Sequence, residues 1–459
     1  MTDWNEKGPE CPWCSAHVPP DATHCLACLN VTCREPSGHL RARGAIALAL
    51  VIVAACSSGA PAASPAPSAV PASEPAAASP ALAVASACPS PPGPATQLAR
   101  LGRIARSGPE SGVWVGVNLD WASQSVDALT ADLGAPPADV VTFVSFPLTP
   151  DDGVNLAAAA EQARAAGAVL IVTLQPWAGL AAVTDAAIAD IVSRLALFGS
   201  EGVPSIVRFA HEMNGAWYPW SQDPAAYTAA FRRVADAVHA GAPSAAMLWA
   251  PNQGQGYPYA GGQYEAAPGS PAARLLDTNG NGRLDAGDDP YAPYWPGAAY
   301  VDWVGMSLYH WGTTYPWGAN TVPAPGKFAA LITGAATAAS DVPVPDFYAG
   351  YSARYGKPLA IVETAALYRP GGGGASESAI KTAWLGQVLS PATRTRFPLL
   401  RIVNWFEWRK TETEVHAVVD WRIAADPALR AAFIAALTGG FELGPAVPPA
   451  ALSAGCPTP

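Results

Sequence analysis

Two glutamates, far apart along the chain, carry most of its chemistry. Glu212 sits in the block Arg208-Phe209-Ala210-His211-Glu212-Met213-Asn214-Gly215-Ala216-Trp217-Tyr218-Pro219-Trp220, directly after the β-branched run Ser205-Ile206-Val207. Glu363 closes the run Lys357-Pro358-Leu359-Ala360-Ile361-Val362, which reads as another short apolar strand. A carboxylic acid at a strand end among flat aromatic rings is suited to protonating a glycosidic oxygen, and that reaction needs a second carboxylate facing it. Neither glutamate needs a metal or other cofactor for this work.

These acids must be brought together by the elements that carry them. Short β-branched runs alternate with Ala-rich helical patterns, the signature of a parallel sheet wrapped by helices. The runs 113–119, 140–146, 169–174, 206–210, 246–250, 301–308, 359–362 and 400–405 give eight strands. Helices are expected over 126–133, 156–166, 184–198, 224–240, 327–339, 376–389 and 427–437, two of them opened by Asp223-Pro224 and Asp426-Pro427. Eight strands with intervening helices predict an α/β fold, a (β/α)8 TIM barrel over residues 96–440, in which chemistry sits at the C-terminal strand ends. Glu212 follows the fourth strand and Glu363 the seventh, so both would face one cleft.

Other residues follow strand ends as well. His211 would lie beside the acid and hydrogen-bond a sugar or orient a carboxylate. Tyr309, with Tyr300 and Tyr315 nearby in sequence, would donate to Glu363. Asn252, in Trp249-Ala250-Pro251-Asn252, is a candidate partner for a sugar hydroxyl, and Arg208 either tunes the acid or is structural. Trp405 is expected as the floor under the sugar being cleaved, and Trp121, Trp177, Trp217, Trp220 and Trp311 either stack on sugars or pack within loops.

The block His211-Glu212-Met213-Asn214-Gly215 with Trp217 and Trp220, the strand from Trp303 to Tyr309, and Lys357-Pro358 leading to Glu363 resemble glycoside hydrolase family 26 over about residues 110–440. The histidine before the acid is the specific part, since most relatives in that clan carry asparagine there. The resemblance implies a retaining endo-acting enzyme with Glu212 as acid/base and Glu363 as nucleophile, cleaving β-1,4-mannan or, alternatively, β-glucan or xylan. Two carboxyls about 5 to 5.5 Å apart suit that double displacement, and proximity should keep Glu212 protonated and Glu363 charged. One departure bears on substrate: the third strand ends Gln175-Pro176-Trp177, without the histidine of a typical mannanase of that family.

The run Asp277 to Asp288 (DTNGNGRLDAGD) is an EF-hand-type pattern, with Asp277, Asn279, Asn281, the Arg283 carbonyl, Asp285 and Asp288 as structural calcium ligands. Asp288 replaces the usual bidentate glutamate, and Pro290 argues against an exiting helix. At the other end of the chain, Cys11, Cys14, Cys25 and Cys28 form two C-x-x-C knuckles spaced for a zinc ribbon over residues 1–40, or for local disulfides.

Residues 41–56 hold Arg41, Arg43, the apolar run 44–55 and a lipobox-like Val53-Ala54-Ala55-Cys56. Twelve apolar residues fall short of the ~20 needed to span a bilayer as a helix and match a signal-peptide core better. Either cleavage and lipidation at Cys56 or an uncleaved anchor would place the barrel outside the membrane at the cell surface. Residues 57–95, almost wholly Ala, Pro and Ser, are expected as a disordered tether, and 441–459 as a Pro/Ala-rich tail. Cys88 and Cys456 bracket the folded part, either as one disulfide or as two separate thiols.

The net charge of -10 argues against nucleic acid as a partner, while the 16 tryptophans favour an aromatic groove for polysaccharide. A monomer is expected. A non-catalytic glycan-binding barrel at the cell surface is the rival reading; it needs the tryptophans but not two opposed acids.

Overall fold

The computed structural model describes residues 93–313, 315, 317–337 and 341–448. The four ribbon cysteines, the apolar segment with Cys56, the spacer to residue 92, Cys88 and Cys456 lie outside the described residues. Among the described residues no helix is long and apolar enough to cross a membrane.

Strands and helices alternate along the first half: α1 (Pro94–Ser107), β1 (Val113–Leu119), α2 (Val126–Leu133), β2 (Asp139–Ser145), α3 (Pro150–Ala166), β3 (Val169–Gln175), α4 (Asp185–Ser200), β4 (Ser205–Phe209) and α5 (Pro224–Gly241). The second half continues with β5 (Ala245–Trp249), α6 (Pro271–Leu276), β6 (Trp303–Ser307), α7 (Lys327–Thr333), β7 (Leu359–Thr364), α8 (Glu377–Val388), α9 (Pro391–Arg396) and β8 (Leu400–Glu407). A hairpin of β9 (Arg409–Glu412) and β10 (Ala417–Asp420) follows, then α10 (Pro427–Ala436) and β11 (Phe441–Glu442).

Each of β1 to β8 pairs in parallel with the next, and β1 also pairs with β8 from Trp114↔Ile402 to Leu119↔Glu407, so the sheet closes into the expected (β/α)8 barrel. Closure explains why these strands are apolar on both sides. Val141, Ile171, Ile206, Leu248, Val362 and Ile402, each from a different strand, pack together inside the barrel. Their chain neighbours Val140, Leu170, Val207, Ile361 and Val403 belong to the larger core beneath the helices.

Some boundaries differ from expectation, for local reasons. The helix expected to reach residue 339 ends at Thr333, because Gly334 adopts the left-handed conformation (φ 69°) and its N–H closes back on Ala330 and Leu331. The helix expected from 156 begins at Pro150, where Thr149 and Asp152 form a capping box. Residues 441–442, expected in the tail, instead pair with the start of β1 as β11 (Val113↔Phe441, Trp114↔Glu442), so the folded body extends past residue 440.

The end of the barrel away from the C-terminal strand ends is covered by α1. The Trp303 indole at the start of β6 donates to the Ala105 carbonyl (2.6 Å), and Arg106 donates to the Pro243 carbonyl (3.0 Å). Val447 packs against Leu101 and Ile104 on the same side.

Candidate active site

Glu212 is presented by a distorted turn. β4 stops at Phe209, and two non-glycine residues then take left-handed backbone, Ala210 (φ 44°) and Glu212 (φ 54°). Such conformations cost about 1–3 kcal/mol each and persist only where the surroundings impose them. Here the Glu212 N–H donates to the Ala250 carbonyl (3.0 Å) and the Gly215 N–H to the Glu212 carbonyl (2.9 Å). Buried Asn214 clamps the same turn to the β5 loop, its Nδ2 donating to the Asn252 carbonyl (2.9 Å) and its Oδ1 accepting from the Asn252 N–H (2.8 Å). The Trp217 indole N–H donates to Glu212 Oε2 (3.0 Å). Glycine is required at 215, since a Cβ there would lie 2.5 Å from the Trp217 ring.

Glu363, near the end of β7, accepts from two side chains, one at each carboxyl oxygen. Arg208, wholly buried on β4, donates through Nη1 to Glu363 Oε1 as an ion pair and through Nη2 to Ser307 Oγ (2.6 Å). Tyr309 Oη donates to Glu363 Oε2 (2.6 Å). Tyr309, rather than Tyr300 or Tyr315, thus holds the second acid. Arg208, expected either to tune the acid or to be structural, bonds to Glu363, and its charge also opposes the upward shift of Glu212.

The two acids share an electrostatic environment. Burial raises the Glu212 carboxyl above its ordinary 4.5, and the Glu363 charge raises it further; Arg208 and hydrogen bonds from Ser307 and Asn252 oppose the shift without cancelling it. Glu212 therefore holds its proton further up the pH scale than a free glutamate does, the direction a general acid needs. Burial, and then Arg208, hold His211 well below the ordinary imidazole range, so the ring is neutral. It lies between Phe143 (5.8 Å) and Tyr218 (5.0 Å), with Nδ1 buried and unpartnered.

The aromatic residues divide differently from the sequence expectation. Trp217, Trp177 and Trp311 are half-buried, as wall residues of a cleft would be. Trp220 is fully buried: its N–H donates to the His211 carbonyl (2.7 Å) and its face is covered by Tyr218, stacked at 4.4 Å, so no sugar can reach it. Trp405 is only 1% exposed and points outward, its ring 6.5 Å from Phe433 of α10, so it is not a floor. Its neighbour Phe406 faces inward instead, 5.8 Å from the Tyr309 ring. Sequence reading also missed Ser307, Asn214 and Tyr218; the first two could have been found from their places at the end of the sixth strand and after the fourth.

The loop from Asp277 to Asp288 is closed by its own side chains. Asp277 Oδ1 and Oδ2 accept from the N–H groups of Asn281 and Gly282 (3.0 and 2.8 Å), and nearly buried Asp288 accepts from Asn279 N–H (3.1 Å) and Asp285 N–H (2.8 Å). Its donor set is all oxygen, the chemistry of a hard cation. Among the described residues no three His, Cys, Asp or Glu side chains converge as a metal centre; in this loop amide and carbonyl oxygens make up half of the expected ligands.

No protein-family model matches the chain. Among curated proteins, a 290-residue stretch covering 60% of the chain is 26% identical to Endoglucanase H of Acetivibrio thermocellus and covers 25% of it, so the chain spans about a quarter of that relative. Among solved structures it is similar to a modular endo-β-1,4-mannanase from Cellulomonas fimi (16% identity, TM-score 0.46, 78% of this chain and 76% of that one). It is also similar to a family 128 endo-β-1,3-glucanase from Amycolatopsis mediterranei in complex with laminaritriose (13% identity, TM-score 0.35, 71% of this chain and 100% of that one).

Proposed function

We propose that the barrel is a retaining, endo-acting glycoside hydrolase of β-linked polysaccharides, with Glu212 as acid/base and Glu363 as nucleophile. The observation that carries this reading is the meeting of two carboxyls from different strand ends at one buried Arg208–Ser307 unit, with Glu212 shifted toward its acid form by burial and then by the charge on Glu363. A binding module needs no such pair.

In the first step a Glu363 oxygen attacks the anomeric carbon, the glycosidic C–O bond breaks, and the Glu212 proton goes to the departing oxygen. In the second, water attacks the glycosyl ester, gives its proton to Glu212, and releases Glu363. Arg208 and Tyr309 orient the Glu363 oxygens throughout. The similarity to an endoglucanase, together with Gln175 at the end of β3, favours β-glucan over the mannan implied by the family resemblance. The test is full-length protein on mixed-linkage glucan, glucomannan, mannan and xylan. Short oligosaccharides whose new reducing ends are first β-configured by NMR are expected; inertness on all four, or an α-configured first product, rejects the reading.

We further propose that the 277–288 loop takes calcium through Asp277, Asn279, Asn281, the Arg283 carbonyl, Asp285 and Asp288, as a structural ion fixing the insertion between β5 and β6. EGTA should lower the thermal midpoint by about 5 °C and calcium should restore it. An unchanged midpoint rejects this site. The apolar segment before Cys56 and the Ala/Pro/Ser spacer support a surface-tethered enzyme.

A further inference from the structure

Tyr309 owes its position to more than its bond with Glu363. Its ring is flanked by Phe406, edge-on at 5.8 Å, and by Trp421, tilted at 5.1 Å, with Trp311 at 6.2 Å. Trp421 is fully buried just after β10, and its indole N–H donates to Glu412 Oε1 (2.6 Å). The other oxygen of Glu412, Oε2, lies 3.3 Å from Lys410 Nζ. That ammonium stands over the Phe406 ring, 5.7 Å from its centroid. Glu412 itself is only 6% exposed. One buried carboxylate therefore grips, through its two oxygens, groups seated on both rings that flank the tyrosine.

Burying a carboxylate is costly unless its partners must be fixed, because desolvation disfavours its charge. A hairpin of this length could close with apolar residues at this position. The charged side chain instead joins both strands of the hairpin to the wall behind Tyr309, where a loose ring would let the phenol drift from Glu363.

We propose that Glu412 is a positioning residue: it sets Trp421 and the Lys410–Phe406 pair against Tyr309, and so keeps the Tyr309 hydroxyl on Glu363 Oε2. This rests on the glycosidase reading above. Glu412 touches neither sugar nor reacting atoms; its effect passes through the tyrosine, and displacements near 1 Å at a reacting group cost up to about 100-fold in rate.

The test is a double-mutant cycle in the full-length chain, assayed on whichever of the four polysaccharides the wild type cleaves fastest. Glu412→Ala should lower kcat about tenfold with KM within about twofold, because substrate contacts are untouched. Glu412→Gln, whose amide oxygen still accepts from Trp421, should recover kcat to within about threefold. Adding Glu412→Ala to Tyr309→Phe should cause no further loss beyond about twofold, since the group being positioned is already gone. Wild-type kcat in Glu412→Ala, or a tenfold loss that persists beside Tyr309→Phe, overturns the proposal. Should Glu412→Ala not fold, Trp421→Phe keeps an aromatic ring while removing the indole N–H and part of the ring that packs on Tyr309; an unchanged kcat there is equally fatal. A wild type inert on all four substrates removes the glycosidase reading, and this proposal with it, whereas an active wild type with an insensitive Glu412 removes this proposal alone.

Discussion

Replacing Glu363 with alanine is expected to lower kcat on polysaccharide at least about 1,000-fold, and replacing Glu212 about 100- to 10,000-fold, because each removes a group that acts only at the reacting bond. A 2,4-dinitrophenyl β-glycoside, whose leaving group needs no proton, separates the roles. With that substrate Glu212→Ala should still show a burst of released phenol followed by slow turnover, whereas Glu363→Ala should show neither. A burst from Glu363→Ala would reverse or abolish the assignment. The pH dependence follows from the same geometry. Burial, and then the Glu363 charge, raise the Glu212 carboxyl above 4.5, so its acid form is lost as pH rises through that higher value. Polysaccharide turnover by the wild type should therefore fall on the alkaline side with a midpoint above 4.5, and that limb should be missing in Glu212→Ala.

The second large effect is expected at Arg208. Arg208→Met removes the cation paired with Glu363 and leaves a nearly buried carboxylate without its counter-charge. Breaking a buried pair from one side costs about 3–5 kcal/mol, so chemical denaturation should show a loss of that order. Removing both partners should cost less than the sum of the single changes, because no charge is then stranded. Strict additivity in the Arg208→Met, Glu363→Ala cycle would show that the two groups do not interact. Activity should fall about 100-fold in Arg208→Met, through misorientation of Glu363.

The barrel itself was readable because its strands are fully buried. Closure puts apolar residues on both faces, so each strand stands out as a β-branched run between Ala-rich helices. Helix starts were read at Asp223-Pro224 and Asp426-Pro427, where an acceptor precedes proline; Thr149-Pro150, Ser270-Pro271 and Ser390-Pro391 carry the same signal for α3, α6 and α9 but went unread, so α3 was placed late and α6 and α9 were not expected. At α1 the Gly93-Pro94 start was hidden by the Ala/Pro composition running into it.

Glu212, Glu363 and Tyr309 were legible as residues at strand ends, and so was the Tyr309–Glu363 bond, but the Arg208–Glu363 pair was not. Parity fails after Phe209, where Ala210 and Glu212 turn left-handed, so nothing local says that Arg208 reaches Glu363. For the tryptophans, residue type says that a ring can stack on a sugar, whereas one position of register decides which face it takes. Trp405 turns outward and Phe406 inward for that reason. The Glu412–Trp421 bond was invisible in sequence because it depends on a hairpin folding back across β8.

The helix laid under the barrel has a topological consequence. Val447 rests on Leu101 and Ile104, so the first and last described segments leave from the closed base, while Glu212 and Glu363 open at the opposite rim. Joining those two segments and cutting the polypeptide at a surface turn elsewhere would give a circular permutant with the mouth unobstructed.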